Sequence, residues 1–150
     1  MITNKLERII KYNFNNVNLL KEALIHSSYS SRSCKKNKKN YERLEFLGDR
    51  VLGLVLAEYV FHVFPEANEG LLNSYYQKYV SQEYLFNYSK KIHLSNFIKT
   101  QKGDKLDDNK SILSDVVESI IGAIYLDSGF INCKEFIIKE IIGEGIISSK

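Results

Sequence analysis

Apolar residues recur every three or four positions along most of the chain, which is the period of an amphipathic helix. Leu6, Ile9 and Ile10 share one face of the segment 3–12, and the polar residues 13–16 interrupt it. Leu19, Leu20, Ala23 and Leu24 continue the helical spacing and predict a second helix over 17–29. The Ser- and Lys-rich run 27–40 reads as a loop. A long helix is expected from about 41 to 64, stopping at Pro65, because proline disfavours helix in the residue before it. Segments 69–80 and 82–91 predict two more helices, and TQKGDKLDDNK at 100–110 an exposed loop. A strongly apolar helix follows over 111–127. The last helix is expected to start near Asn132, which stands three residues before Glu135 with capping-box-like spacing. It should end by Gly143, a natural helix terminator. The whole pattern is all-α.

Composition narrows the picture without changing it. The 150 residues are 44% hydrophobic and 26% charged, ordinary material for one globular domain that buries about two-thirds of its unfolded surface. Eight glycines and a single proline supply too little turn chemistry for a β-sandwich or barrel. The net charge of +3 is too small to announce a nucleic-acid partner, but Arg32, Lys35, Lys36, Lys38 and Lys39 are clustered. Cys34 and Cys133 form no CxxC pair, and His26, His62 and His93 are scattered, so neither a zinc site nor a disulfide framework is signalled. There is no uninterrupted apolar run of 18 residues and no secretory leader pattern. A reduced, soluble, cytoplasmic protein is the expectation.

The informative feature is the position of the acids. In YERLEFLGDRVLGLVLAEYV, Glu42, Glu45 and Asp49 are spaced i, i+3, i+7. Glu45 and Asp49 lie only about 40° apart around a helix, on the stripe that Leu52 and Leu56 continue. In SILSDVVESIIGAIYL the only charged residues are Asp115 and Glu118, three apart on one side. A carboxylate on an apolar face must be paired or given a cation. Two helices that each present a close pair would, face to face, make an oxygen-rich cage suited to Mg²⁺. The alternative is that these are solvated acids salt-bridged to Arg43 and Arg50. Those two arginines point about 160° and 140° away from Glu45, which suits them poorly as its partners.

At these residues the chain resembles the ribonuclease III family, double-stranded-RNA endonucleases with an all-helical nuclease domain. Glu42-Arg43-Leu44-Glu45-Phe46-Leu47-Gly48-Asp49 reproduces the family signature without a gap, and 111–127 matches its second acidic motif. Residues 23–28 and FPEANEG at 64–70 are weaker echoes. The resemblance implies one nuclease domain over 1–150, with a folded core from about 3 to 143 and a tail or linker start at 144–150. Full-length bacterial members carry a further double-stranded-RNA-binding domain. The chain is therefore expected to be an excised nuclease domain or a minimal enzyme.

The same resemblance assigns roles. Glu45, Asp115 and Glu118 match metal-binding carboxylates, while Asp49 and Glu118 match catalytic residues. Glu42 and Glu69 match accessory acids. Phe46 matches the aromatic side chain that plugs into the partner subunit of a homodimer, although its spacing suits an ordinary core residue equally. The implied activity is Mg²⁺-dependent hydrolysis, with Mn²⁺ as a substitute, of double-stranded RNA to 5′-phosphate and 3′-hydroxyl ends, in processing of rRNA and mRNA precursors. An A-form duplex is read by shape, phosphates and 2′-hydroxyls, and the 32–39 cluster with Lys99, Lys102 and Lys105 offers charge for that. Tyr75 and Tyr76 stand where family members carry a basic residue, with Lys78 as the nearest substitute. The rival readings are a non-catalytic RNA-binding version of the fold, which would lose the acids, and a helical protein with merely salt-bridged carboxylates.

Overall fold

The computed structural model describes residues 2–31, 39–101 and 105–143. Helices α1 (Ile2–Ile10), α2 (Val17–Ala23), α3 (Ser27–Ser31), α4 (Glu42–Val63), α5 (Glu69–Val80), α6 (Gln82–Lys91) and α7 (Lys110–Phe136) account for most of it. A 3₁₀ turn, Leu94–Phe97, follows α6, and a π-helical turn, Ile137–Ile142, follows α7. The expected all-α class holds. Arg32, Cys34, Lys35, Lys36, Lys38, Lys102 and the tail 144–150 lie outside the described residues.

The core is built on α4 and α7, which form the largest interface in the described fold. Leu44, Val51, Leu52, Val55, Leu56 and Val60 of α4 are buried against Val116, Val117, Ile120, Ile121 and Ile124 of α7. Helix α7 is apolar nearly all round because α2, α4 and α6 surround it. Two glycines set how closely the axes approach. A Cβ on Gly48 would lie 1.7 Å from the Glu118 carbonyl oxygen, and one on Gly122 would lie 2.2 Å from the Leu44 carbonyl oxygen. Backbone meets backbone here, which only glycine permits.

Several boundaries follow from local chemistry. Side-chain oxygens of Asn68, Ser81 and Asn109 accept from the backbone N–H of Leu71, Tyr84 and Ile112 at 3.0, 3.2 and 3.1 Å, starting α5, α6 and α7 as N-caps do. Gly143 ends the last helical turn among the described residues at φ 59°, as its sequence position predicts. Asp127 pins the 13–16 break, accepting from Tyr12 Oη (2.8 Å), Asn15 N (2.9 Å) and Asn16 N (2.7 Å). Burial pushes its carboxyl up, yet the backbone donors of Asn16 and Asn15 and the Tyr12 hydroxyl hold it below its usual value.

Other boundaries differ from the periodicity. The segment 17–29 is not one helix, because the Lys99 backbone N–H donates to Leu24 O (2.8 Å) and the His26 N–H to Lys99 O (2.9 Å). That two-bond bridge captures 24–26, and Ser27–Ser31 then forms a short helix where a loop was expected. The 3₁₀ turn buries Leu94 and Phe97, and Leu106 is buried within the otherwise polar 105–109. The last helix does not begin at Asn132. The break falls at Gly129 (φ 82°, ψ −179°), and Asn132 Nδ2 instead donates to Ser128 O at 3.0 Å.

The glycine crossing yields a direct test. Gly122→Ala should destabilise the protein by about 3 kcal/mol or more, because the obstructing atom is backbone and cannot swing aside. Gly70→Ala is the control, since its Cβ would meet nothing nearer than 3.6 Å. Thermal melts should show a large loss for the first and little change for the second; similar melting points would mean that the crossing is not tight.

Candidate metal centre

The glycine crossing also assembles the acids. Glu45 and Gly48 lie one turn apart on α4, and the α7 carbonyl that Gly48 admits belongs to Glu118. Gly122 stands one turn beyond Glu118 and admits the Leu44 carbonyl in return. One carboxylate oxygen from each of Glu45, Asp115 and Glu118 falls within 4.8 Å of the other two, and all three residues are half-buried. Two helices thus converge on one small volume of oxygen donors.

Asp49 stands apart. It was expected beside Glu45 on the apolar stripe, but its side chain is 52% exposed and lies outside the group of three. The buried face of α4 is centred near Gly48, which puts Glu45 about 60° and Asp49 about 100° from its midline. Asp49 therefore sits at the rim, where Arg50 Nη1 donates to its Oδ2 at 2.7 Å. Among the described residues, none of Glu45, Asp115 and Glu118 forms an ion pair, and Arg43 pairs with no acid. The salt-bridge reading thus fails for the three that converge.

Electrostatics agree with the geometry. The Glu118 carboxyl is pushed up to about 8, chiefly by burial, then by the charges of Asp49, Asp115 and Glu45, against a smaller pull from Arg50. Burial, Asp115, Glu42 and Asp49 raise Glu45 as well. Asp115 is raised by burial, with a Ser111 hydrogen bond and the charge of His26 opposing. The adjacent Tyr41 hydroxyl is pushed up to about 12 by burial and by Asp115, Glu45 and Glu42. Crowded carboxyls with raised proton affinity and, among the described residues, no ion-pair partner are the environment a divalent cation relieves. An all-oxygen donor set fits a hard ion of the Mg²⁺ type.

The remaining candidates are distributed around this centre. Glu42 is exposed, with its charge felt at Glu45, and Glu69 is exposed at the first turn of α5. Phe46 is 62% exposed, which rules out the core reading. It borders an open cavity of about 590 Å³ lined also by Leu19, Leu47 and Leu126. Lys39, Lys99 and Lys105 are exposed. Tyr75 stacks on Phe64 (4.1 Å, 3°), and the Tyr76 hydroxyl fills the space beside Gly53. Both tyrosines pack inward, which accounts for their standing in a basic position. Cys133 is buried, and burial pushes its thiol up to about 12, so it is inert.

Sequence reasoning missed two features. His26 stacks on Tyr41 (5.5 Å, 22°) and accepts from the Ser28 N–H at Nδ1 (3.2 Å), close enough to influence Asp115. Leu54 and Phe61 are 60% and 63% exposed. Both lie within about 80° of Phe46 around α4, a spacing that was available from the sequence.

Comparison with known proteins gives this arrangement its class. A ribonuclease-III-like family model matches residues 16–144. The chain is 44% identical over 140 residues to ribonuclease 3 of Ehrlichia ruminantium, covering 91% of this chain and 61% of that protein. It is 40% identical over 132 residues to ribonuclease 3 of Borreliella burgdorferi, covering 86% and 54%. The chain thus spans little more than half the length of these relatives. The nuclease domain of ribonuclease III from Campylobacter jejuni, described for structural flexibility in a region involved in dimer formation, superimposes with a TM-score of 0.83. It is 38% identical, over 92% of this chain and 94% of that one. Dicer from Pichia stipitis shares the fold at a TM-score of 0.69 and 22% identity, over 91% of this chain and 58% of that one. The chain belongs to the ribonuclease III family.

The raised Glu118 carboxyl makes stability depend on pH. Its folded value lies above that of the unfolded chain, so the folded state binds the proton more tightly. The group is neutral to stability below about 4.5 and increasingly unfavourable as pH rises to about 8. In EDTA, Glu118→Gln should melt at the parent temperature near pH 4 and a few degrees higher near pH 8. A variant that melts lower at pH 8 would show that the carboxylate is stabilised by a partner instead.

Proposed function

We propose that this chain is a divalent-cation-dependent endonuclease of double-stranded RNA, working as a homodimer in which each subunit cuts one strand. The observation that carries the reading is the convergence of Glu45, Asp115 and Glu118, half-buried and, among the described residues, in no ion pair. These three would hold the ion, and Mg²⁺, or Mn²⁺ in its place, would supply Lewis acidity at the scissile phosphate and a more acidic bound water. Asp49, exposed at the rim and bonded to Arg50 through Oδ2, would accept a hydrogen bond from the attacking water and orient it. Attack at phosphorus with loss of the 3′-oxygen leaves a 5′-phosphate and a 3′-hydroxyl. The rigid glycine crossing fixes the spacing of acids from two helices, so little reorganisation is needed at the moment of reaction.

Duplex RNA suits the surroundings. A-form helix presents phosphates and 2′-hydroxyls rather than readable base edges, and exposed lysines at 39, 99 and 105 offer backbone contacts. The dimer rests on the exposed apolar stripe of α4. Phe46, Leu54 and Phe61 form a row that a monomer would leave wet, and a two-fold contact uses the same patch twice. The cavity beside Phe46 gives a partner's ring somewhere to enter.

Two measurements test this reading. Glu118→Gln should abolish cleavage of labelled duplex RNA in Mg²⁺ under single-turnover conditions while leaving the circular dichroism unchanged; cleavage at the parent rate would sink the metal assignment. Phe46→Ala removes an interface anchor at two symmetric places, each worth roughly 3–5 kcal/mol. It should sediment as a monomer at micromolar concentration and leave only single-strand nicks or no product. A persistent dimer would put the interface on another face.

A further inference from the structure

Arg50 is the one basic side chain bonded to an acid of the site among the described residues, and three contacts hold it. Its guanidinium carbon lies 4.1 Å from the centre of the Phe46 ring. Nη1 donates to the Phe46 carbonyl oxygen at 3.4 Å and to Asp49 Oδ2 at 2.7 Å. Phe46 and Arg50 are i, i+4 neighbours on α4, and the guanidinium reaches sideways from the ring to the acid. An exposed Asp–Arg pair is by itself a weak and mobile contact. Here the planar cation is stacked on an aromatic face, which restrains the plane that Asp49 meets.

We propose that Arg50 is a positioning residue that ties Asp49 to the Phe46 surface, so that a second copy of this chain seated on Phe46 orders an acid of the active centre. The inference rests on the dimeric-nuclease reading above and deepens it. Phe46 is 62% exposed when alone, so its ring is free to change rotamer. Packed into a partner, the ring is fixed and the stacked guanidinium is fixed with it. Asp49 then has one preferred orientation beside Glu118, whose proton affinity both Asp49 and Arg50 already influence. Subunit contact and chemistry are thereby linked through three residues of a single helix, Phe46, Arg50 and Asp49. A lone subunit would keep its metal ligands and lose the placement of Asp49.

The test uses Arg50→Ala, Arg50→Lys and Phe46→Leu, the last keeping apolar bulk but no aromatic face. Arg50→Ala should remain dimeric by sedimentation and bind duplex RNA in Ca²⁺ with unchanged affinity. Its single-turnover cleavage rate in Mg²⁺ should fall roughly tenfold, the scale of loss expected for a misplaced group. Arg50→Lys keeps the charge without the planar fork and should recover only part of that rate. In an Asp49→Asn background, Arg50→Ala should have no further effect, since both act through the same carboxyl. Weakened RNA binding by Arg50→Ala, or additivity with Asp49→Asn, would instead make Arg50 a phosphate contact and overturn the proposal. NMR relaxation of the Arg50 Nε–H in the dimer is independent of cleavage. It should be rigid in the parent and mobile in Phe46→Leu; an Arg50 as mobile as the exposed Arg43 in the parent overturns the proposal even if the chain cuts no RNA. A parent that fails to cut, with Arg50 rigid, would refute the nuclease reading and leave the Phe46–Arg50–Asp49 linkage standing.

Discussion

The approach of α4 to α7 at Gly48 and Gly122 is the constraint on which the rest of the molecule depends. Carbonyl oxygens of Leu44 and Glu118 occupy the space where two β-carbons would otherwise stand. Helices packed through ordinary side chains sit 8–10 Å apart; substituting hydrogen for Cβ at reciprocal positions permits a closer crossing. That closeness does two things at once. It brings the apolar faces of both helices into one core, and it brings Glu45 within reach of Asp115 and Glu118. Were the axes further apart, each acid could turn to water and the cluster would dissolve into three ordinary surface carboxylates.

The cluster works against the fold that creates it. Burial raises Glu118, Glu45 and Asp115, and the charges of neighbouring acids raise Glu118 and Glu45 further; a group shifted in this direction favours the unfolded chain once the pH passes its unfolded value. Local structure that is unfavourable for stability and maintained by its surroundings is characteristic of functional sites. The compensation is visible nearby. Ser119 Oγ donates to Ala23 O at 2.8 Å inside the core, one turn beyond Asp115, and Asp127 gathers three donors at the far end of the same helix. Helix α7 is thereby held at two points beyond its acidic turn.

How much of this was legible in the sequence depended on whether the deciding interaction was local. Helices α4, α5 and α6 could be read almost to the residue because Pro65, Asn68 and Ser81 act on their immediate neighbours. The break after Ala23 could not, because it is made by backbone bonds to Lys99, some 75 residues away along the chain. Gly129 was hidden for another reason, since periodicity carries no record of a positive φ and the capping pattern at Asn132 offered a plausible but wrong start. The site divides in the same way. Glu45, Asp115 and Glu118 stood out because charge on an apolar face has few explanations. The exposure of Asp49 did not, because it depends on where α7 crosses, which the sequence of α4 does not contain.

One helix, α4, has to satisfy several neighbours within two turns, and this explains why its signature is contiguous. Measured from Gly48, Leu44 lies about 40° to one side and faces the core, while Glu45 lies about 60° to the other and faces the acids of α7. Asp49 is near 100°, at the rim, and Phe46 is near 160°, pointing away from the domain altogether. Each direction is taken by a different chemical type, and each neighbour is a different body: core, acidic centre, solvent rim and exposed apolar surface. Inserting one residue between Glu42 and Asp49 would rotate everything beyond it by about 100°. An insertion after Glu45 would carry Gly48 off the crossing and bring a side chain against the Glu118 carbonyl. The octapeptide is therefore a geometric unit, because its residues must keep their angles to one another as well as their identities.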